Sequence, residues 1–201
     1  MKRRAAVGAL WRLDAALGGA LAGGREPMMG RIKLAWWREA LERLDRQKPP
    51  AEPVLEELAA LVVASVSGAE LALMEEGWAV LADPEPLSAG DLHTYAKGRG
   101  RLLFRYTARL LGLDAGALES AGEAWALVDL ARHCTTAEDA DVALAAARER
   151  LQQARWPAQL RPLGMLSILA QRDADPARPP WEPRGAPGRM ARMLRHRLIG
   201  N

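Results

Sequence analysis

One cysteine, one phenylalanine, two tyrosines and three histidines in 201 residues exclude several kinds of protein before any motif is sought. Cys134 alone cannot form an intramolecular disulfide or a Cys-rich zinc site, and it agrees with a reducing compartment, so a cytoplasmic setting is the expectation. Phenylalanine, tyrosine and isoleucine are scarce while alanine, leucine, arginine and glutamate dominate, which predicts an all-α protein without sheet. His93, His133 and His196 are too dispersed for a metal site, and no HxxxH occurs. No stretch reaches the roughly 20 apolar residues that cross a bilayer. The basic, apolar start "MKRRAAVGALWRLDAALGGAL" is interrupted by Arg12 and Asp14, which speaks against a signal peptide. A soluble or at most peripheral protein is expected.

What is present is a core-forming chain. Apolar residues make up 49% of it, with charge interspersed, enough for one sizeable domain or at most two small ones. The formal net charge of +3 suits phosphate groups or an anionic surface without requiring either. Arginines alternate with acids along most of the chain and only the last thirteen residues form a basic block, so nucleic-acid binding is not expected. "KGRGR" (97–101) lacks the strand-to-helix setting and the Gly-Lys-Ser/Thr ending of a phosphate loop; its glycines suit close helix approach instead.

Apolar spacing predicts helices over 3–21, ended by glycines at 18–19 and 23–24, and over 27–46, with Pro27 in the first turn and "QKPPAEP" as the break. On the second of these, Met29, Ile32, Lys33, Trp36, Trp37, Ala40, Leu41 and Leu44 form one wide apolar face. Two helical stretches follow over 53–64 and 69–82, closed by "DPEP". A long helix spans Ser88, with Asp91 completing a capping box, to Leu111. Helices are further predicted over 115–133, 138–155 and 158–171. Residues 173–188 carry five prolines and read as a linker or meander pinned by Trp181. The organisation is then a helical domain over 1–172, that segment, and a basic amphipathic helix over 189–201. Met190, Met193, Leu194 and Leu198 share one face of this last helix, which either docks on the bundle or meets an anionic membrane or partner.

The stretch "EPMMGRIKLAWWREALERLD" (26–45) resembles a segment of the squalene/phytoene synthase family, written there EPM-G-I-L-WWR-AL. "LHTYAKGRGRLLFRYTARLLG" (92–112) is similar to the family's Tyr/Gly helix, and "AGEAWALVDLAR" (121–132) to the helix bearing its second acidic motif. Order and spacing agree over about residues 5–155. The resemblance implies a single helical bundle of the terpenoid synthase type around an apolar cavity. In catalytic members, aspartate-rich motifs on two facing helices hold magnesium ions that bind prenyl diphosphates. Carboxylates at i and i+4 share a helix face and a hard cation, which compensates the leaving-group charge.

Both motifs are missing here. The first falls at "LWRLDAALGGAL", where Asp14 stands alone and Gly18 occupies the next matching position. The second falls at "VDLARHCTTAED": Asp129 takes the place of the family's asparagine, Arg132 matches its arginine, and His133 replaces the aspartate that should follow. The i, i+4 pairs Glu52/Glu56 and Glu119/Glu123 lie in early helical turns, where the helix dipole alone accounts for them. The last quarter is proline-rich and does not match, implying a reduced C-terminal part.

No catalytic residue and no cofactor is therefore expected. The leading expectation is a catalytically inactive, lipid- or partner-binding protein; the opening region and short C-terminal part look like the family branch that includes complex I assembly factors. That resemblance implies assembly or chaperone work at the inner face of a respiratory membrane, with a prenyl lipid or a protein as partner and peripheral contact through the basic C-terminal helix. Tyr95, Arg99, Arg101, Asp129, Arg132, Trp36 and Trp37 are the cavity or ligand candidates. The alternative is an active transferase joining two prenyl diphosphates head to head, with magnesium held by the remnant acids Asp14, Asp129, Glu138 and Asp139.

Overall fold

A computed structural model describes residues 2–22, 27–82, 86–116, 118–152, 154–177, 181–183 and 185–200, and among these it contains helices and no strand. The glycines at 23–24, residues 83–85 of "DPEP" and parts of the proline-rich segment, all read above as breaks, lie outside the described residues. The helices are α1 (Lys2–Leu21), α2 (Pro27–Arg43), α3 (Pro53–Leu61), α4 (Gly68–Ala79), α5 (Ala89–Tyr95), α6 (Leu102–Leu110), α7 (Leu118–Ala131), α8 (Ala137–Arg150), α9 (Arg161–Asp173) and α10 (Pro187–Ile199).

Side-chain caps start several of them. Glu52 accepts a hydrogen bond from the backbone N–H of Leu55 ahead of α3, and Thr136 accepts from Asp139 ahead of α8. Complete capping boxes open α4, through Ser67 and Glu70, and α5, through Ser88 and Asp91. Between α5 and α6 the chain stays helical but widens into a π-helical stretch, Ala96–Arg101. The predicted long helix is thus one continuous rod with a wide turn in its middle.

Glycines at that wide turn let neighbouring backbones touch. A Cβ on Gly98 would fall 2.5 Å from the amide nitrogen of Gly77 on α4, and one on Gly100 would fall 2.3 Å from the carbonyl oxygen of Gly122 on α7. The wide turn is therefore wedged between α4 and α7, and Arg99 is the side chain it buries between them, while Lys97 stays exposed. Leu10, Leu13 and Leu17 of α1 pack with Leu55, Leu58, Leu71 and Leu103 into the main apolar core.

Three expectations need correction. Helix α1 runs through Gly18 and Gly19 to Leu21 rather than ending at them. Helix α2 buries Gly30, Leu34, Trp37, Ala40 and Leu41, whereas Met29, Ile32 and Trp36 remain exposed. The phase is set by close approaches: a Cβ on Gly30 would meet Leu21 at 2.9 Å, and Gly68 lies against the Leu41 carbonyl. Asp45 then accepts from the amides of Gly68 and Ala69, locking the end of α2 to the start of α4. Finally, α10 docks by Arg189, Met193 and His196, so the predicted apolar face of Met190, Leu194 and Leu198 points outward.

Candidate functional site

Arg99 leaves the π-helical turn and crosses the bundle centre between α1 and α7. Its Nε and Nη2 donate to both carboxylate oxygens of Asp14, at 3.0–3.3 Å, and its Nη1 donates to Asp129 at 2.7 Å. Nη1 also donates to the Tyr95 hydroxyl, one helical turn earlier. The guanidinium carbon lies 4.5 Å from the Trp78 ring centroid and 4.8 Å from that of Trp125, and the Trp78 indole N–H donates to Asp14. Arg99 is only 6% exposed. One cation is thus held by two carboxylates and an aromatic cage.

Electrostatics agree with this geometry. Burial alone would lower the Arg99 pKa, but Tyr95, Asp14 and Asp129 together hold it above the ordinary arginine value. Burial pushes the Tyr95 phenol up, only partly opposed by Arg99. The site therefore keeps a permanent positive charge and a neutral phenol, which is a poor arrangement for proton transfer near neutral pH.

A magnesium ion bound as in catalytic members does not fit these residues. Asp14 and Asp129, the two acids at the matching positions, are both engaged by Arg99. At the position one turn after Asp14, Gly18 makes room for the Trp78 ring: a Cβ there would lie 2.8 Å from Cη2. One turn after Asp129, His133 turns back so that its Nδ1 bonds the Asp129 carbonyl oxygen at 2.7 Å. Glu138 and Asp139 lie at the exposed start of α8, where Asp139 pairs with Thr136. Among the described residues no group of three His, Cys, Asp or Glu side chains is placed to hold a metal.

The other candidates divide. Tyr95, Arg99 and Asp129 meet at the clasp. Arg101 does not: it points along α7 to Glu123 at 2.6 Å and to Glu119 at 3.6 Å, with Arg150 on the other side of Glu123. That pair of glutamates holds neighbouring helices together as well as sitting in an early helical turn. Arg132 pairs with Asp173 and lies over Trp181, 4.5 Å from its ring centroid. Asp173 also accepts from Arg172 and Arg189, so α7, α9 and α10 converge on one buried carboxylate; burial opposes its charge, but the three arginines hold its pKa below the ordinary value. Trp37 is buried in the core, whereas Trp36 is 46% exposed and lines an outer groove instead of the cavity. Sequence reasoning missed Trp78, Trp125 and the Asp173 cluster, because an indole N–H and a lone aspartate carry no motif.

A separate groove of about 850 Å³ opens between α1, α6, α9 and the end of α10. Val7, Trp11, Leu111, Leu163 and Leu166 supply apolar wall. Arg4, Arg161 and Arg197 also line it, and among the described residues no acid does. Arg161 is partly engaged, donating to the last carbonyls of α10, Arg197 and Leu198. An apolar trough with an arginine rim matches a hydrocarbon chain with an anionic or polar head.

The sequence profile of the squalene/phytoene synthase family matches residues 1–160. No curated protein and no solved structure matches the chain.

Proposed function

The chain belongs to the squalene/phytoene synthase family, and from that premise we propose that it is a non-catalytic member that binds a prenyl lipid or another chain-bearing amphiphile. The observation that carries the reading is the Arg99 guanidinium lying between Asp14 and Asp129, the two positions from which facing metal ions would be held. An arginine cannot exchange with a diphosphate-bound cation as a water can. Without a metal, an allylic diphosphate keeps its leaving group, because nothing compensates the developing charge. Binding needs no metal: the groove beside Trp11 offers apolar wall, and Arg4 and Arg197 offer charge for a head group.

The resemblance of the Trp-Trp region and of the short C-terminal part to the branch with complex I assembly factors extends the proposal to an assembly or chaperone role at the inner face of a respiratory membrane. That extension rests on the resemblance alone.

The test is diphosphate release by the folded protein with magnesium and farnesyl or geranylgeranyl diphosphate, with mass analysis of the organic product. No release, together with a rise in melting temperature on adding the prenyl compound, is the expected result. Turnover that disappears in Asp129→Ala would overturn the proposal and restore the head-to-head transferase.

A further inference from the structure

Helix α10 is attached to the protein by its polar edge. Arg189 pairs with Asp173 at 2.7 Å, Arg192 reaches Glu182 at 3.4 Å, and His196 packs edge-on against Trp156. These contacts turn the opposite edge to the outside. Met190, Leu194 and Leu198 follow one another at four-residue steps along it, and Leu198 is 70% exposed. With about 100° per residue, Arg197 falls on one side of this stripe and Arg195 on the other. Both arginines are exposed, neither is bonded through its side chain to an acid among the described residues, and α10 itself contains no acid. A helix that buries Arg189 and His196 while displaying its aliphatic side chains is inverted relative to a helix packed only for stability.

We infer that the Met190–Leu194–Leu198 face of α10, bracketed by Arg195 and Arg197, docks on an anionic lipid surface. Charge complementarity selects that occupant: flexible arginines extend past the aliphatic stripe to reach phosphates while the stripe enters the acyl boundary. Among the described residues no helix is long and apolar enough to cross a membrane, so the contact is one of lying on the surface. It goes beyond the prenyl-binding reading; Arg197 also lines the groove beside Trp11, but Leu194, Leu198 and Arg195 do not, so changes at Leu194 and Leu198 separate the two.

The experiment is co-sedimentation of the full chain with vesicles of phosphatidylcholine, and of phosphatidylcholine mixed with phosphatidylglycerol. Binding to the anionic vesicles that weakens with added salt is expected. Leu194→Glu with Leu198→Glu abolishes it while circular dichroism, melting temperature and prenyl binding stay unchanged. Arg195→Gln with Arg197→Gln lowers partitioning roughly tenfold, and the corresponding Lys variants restore it. Equal binding of the Leu194/Leu198 variant, or equal binding to both vesicle types, overturns the inference. A self-associating chain whose dimer is broken by Leu194→Glu and which ignores vesicles also overturns it, and gives the face to a second copy.

Discussion

The indole of Trp78 lies over Gly18, so close that a single added carbon on Gly18 would meet Cη2 at 2.8 Å, and the same indole N–H is bonded to Asp14. The space beside Asp14 that a second carboxylate would use is therefore filled by an aromatic ring. Restoring the carboxylate pairs by Gly18→Asp and His133→Asp should not restore magnesium binding. The Gly18 change should instead cost about 1–3 kcal/mol through overpacking. Denaturant unfolding together with calorimetric titration of magnesium reads both effects; tight magnesium binding by the double variant would show that Arg99 and Trp78 yield readily.

Arg99 is the charge on which Asp14 and Asp129 depend. Arg99→Met leaves both acids facing a buried apolar side chain, and removal of one partner of a buried ion pair costs about 3–5 kcal/mol. Converting Asp14 and Asp129 to Asn in the same chain should recover much of that loss, because the unpaired charges are then gone. Arg99→Lys should fall between, since a point charge cannot bridge Asp14 side-on while also reaching Asp129 and Tyr95. Urea unfolding of the wild type, Arg99→Met, Asp14→Asn with Asp129→Asn, and the combined variant measures the cycle; additive losses would show that the three residues do not act as a unit.

Much of this arrangement was legible in the sequence as parts. Ser88 with Asp91 announces a helix start, and that box forms; the Ser67–Glu70 box that opens α4 is not among the predicted caps. Asp14 and Asp129 stand out singly for lacking their partners. Their union through Arg99 is not legible, because it joins positions 85 and 30 residues apart through an arginine on a widened turn. The phase of α2 fails for a different reason. Met29, Ile32 and Trp36 compete with Leu34, Trp37 and Leu41 for the inner face, and the contest is decided by Gly30 and Gly68, which carry no hydrophobic signal. Likewise the sequence leaves open whether the apolar face of α10 docks on the bundle or meets an outside surface, and the docking edge shows only when Asp173 is seen to hold Arg189 on the other side.

Gly122 meets Gly100 where α7 crosses the wide turn, and a Cβ on Gly122 would lie 2.4 Å from the Gly100 carbonyl oxygen and 2.7 Å from the Phe104 ring. Gly122→Ala should cost about 3 kcal/mol, since backbone must move. Gly19, on α1, has nothing within 4 Å, and Gly19→Ala should stabilise by roughly 0.5–1 kcal/mol through helix propensity. Opposite signs at two helical glycines, read by thermal unfolding, separate close approach from propensity; equal signs would count against the contact.

Tyr95 and Tyr106 are the only tyrosines, and both are almost fully buried. Burial pushes the Tyr106 phenol up to about 12, with Glu70 adding to the shift, and burial raises Tyr95 as well. An acid whose folded-state pKa is raised contributes stability below its ordinary pKa, here 10.0, and loses it as the pH climbs toward the folded value. Phenolate absorbance should therefore stay flat through pH 10 and then rise together with loss of helical circular dichroism. A separate absorbance step near pH 10 in a still-helical protein would mean that one phenol reaches water.

At the acid end the determining group is Asp173, shared by Arg132, Arg172 and Arg189. Burial works against its charge, but the three arginines hold its pKa below the ordinary 3.8. The stability it contributes is thus complete above that value and is lost as the pH falls through the lower, folded-state pKa. Glu75 works in the other direction: burial raises its pKa above 4.5 despite Arg38, so at neutral pH its charge opposes folding. Asp173→Asn should cost about 3 kcal/mol at pH 7 and flatten the stability profile below pH 3.8. Glu75→Gln should leave stability unchanged or raise it. Because Asp173 fastens α10 through Arg189, its loss should also free that helix, giving faster proteolysis after Arg189–Arg197 than elsewhere. Uniform proteolysis of Asp173→Asn would separate the acid stability from the attachment of α10.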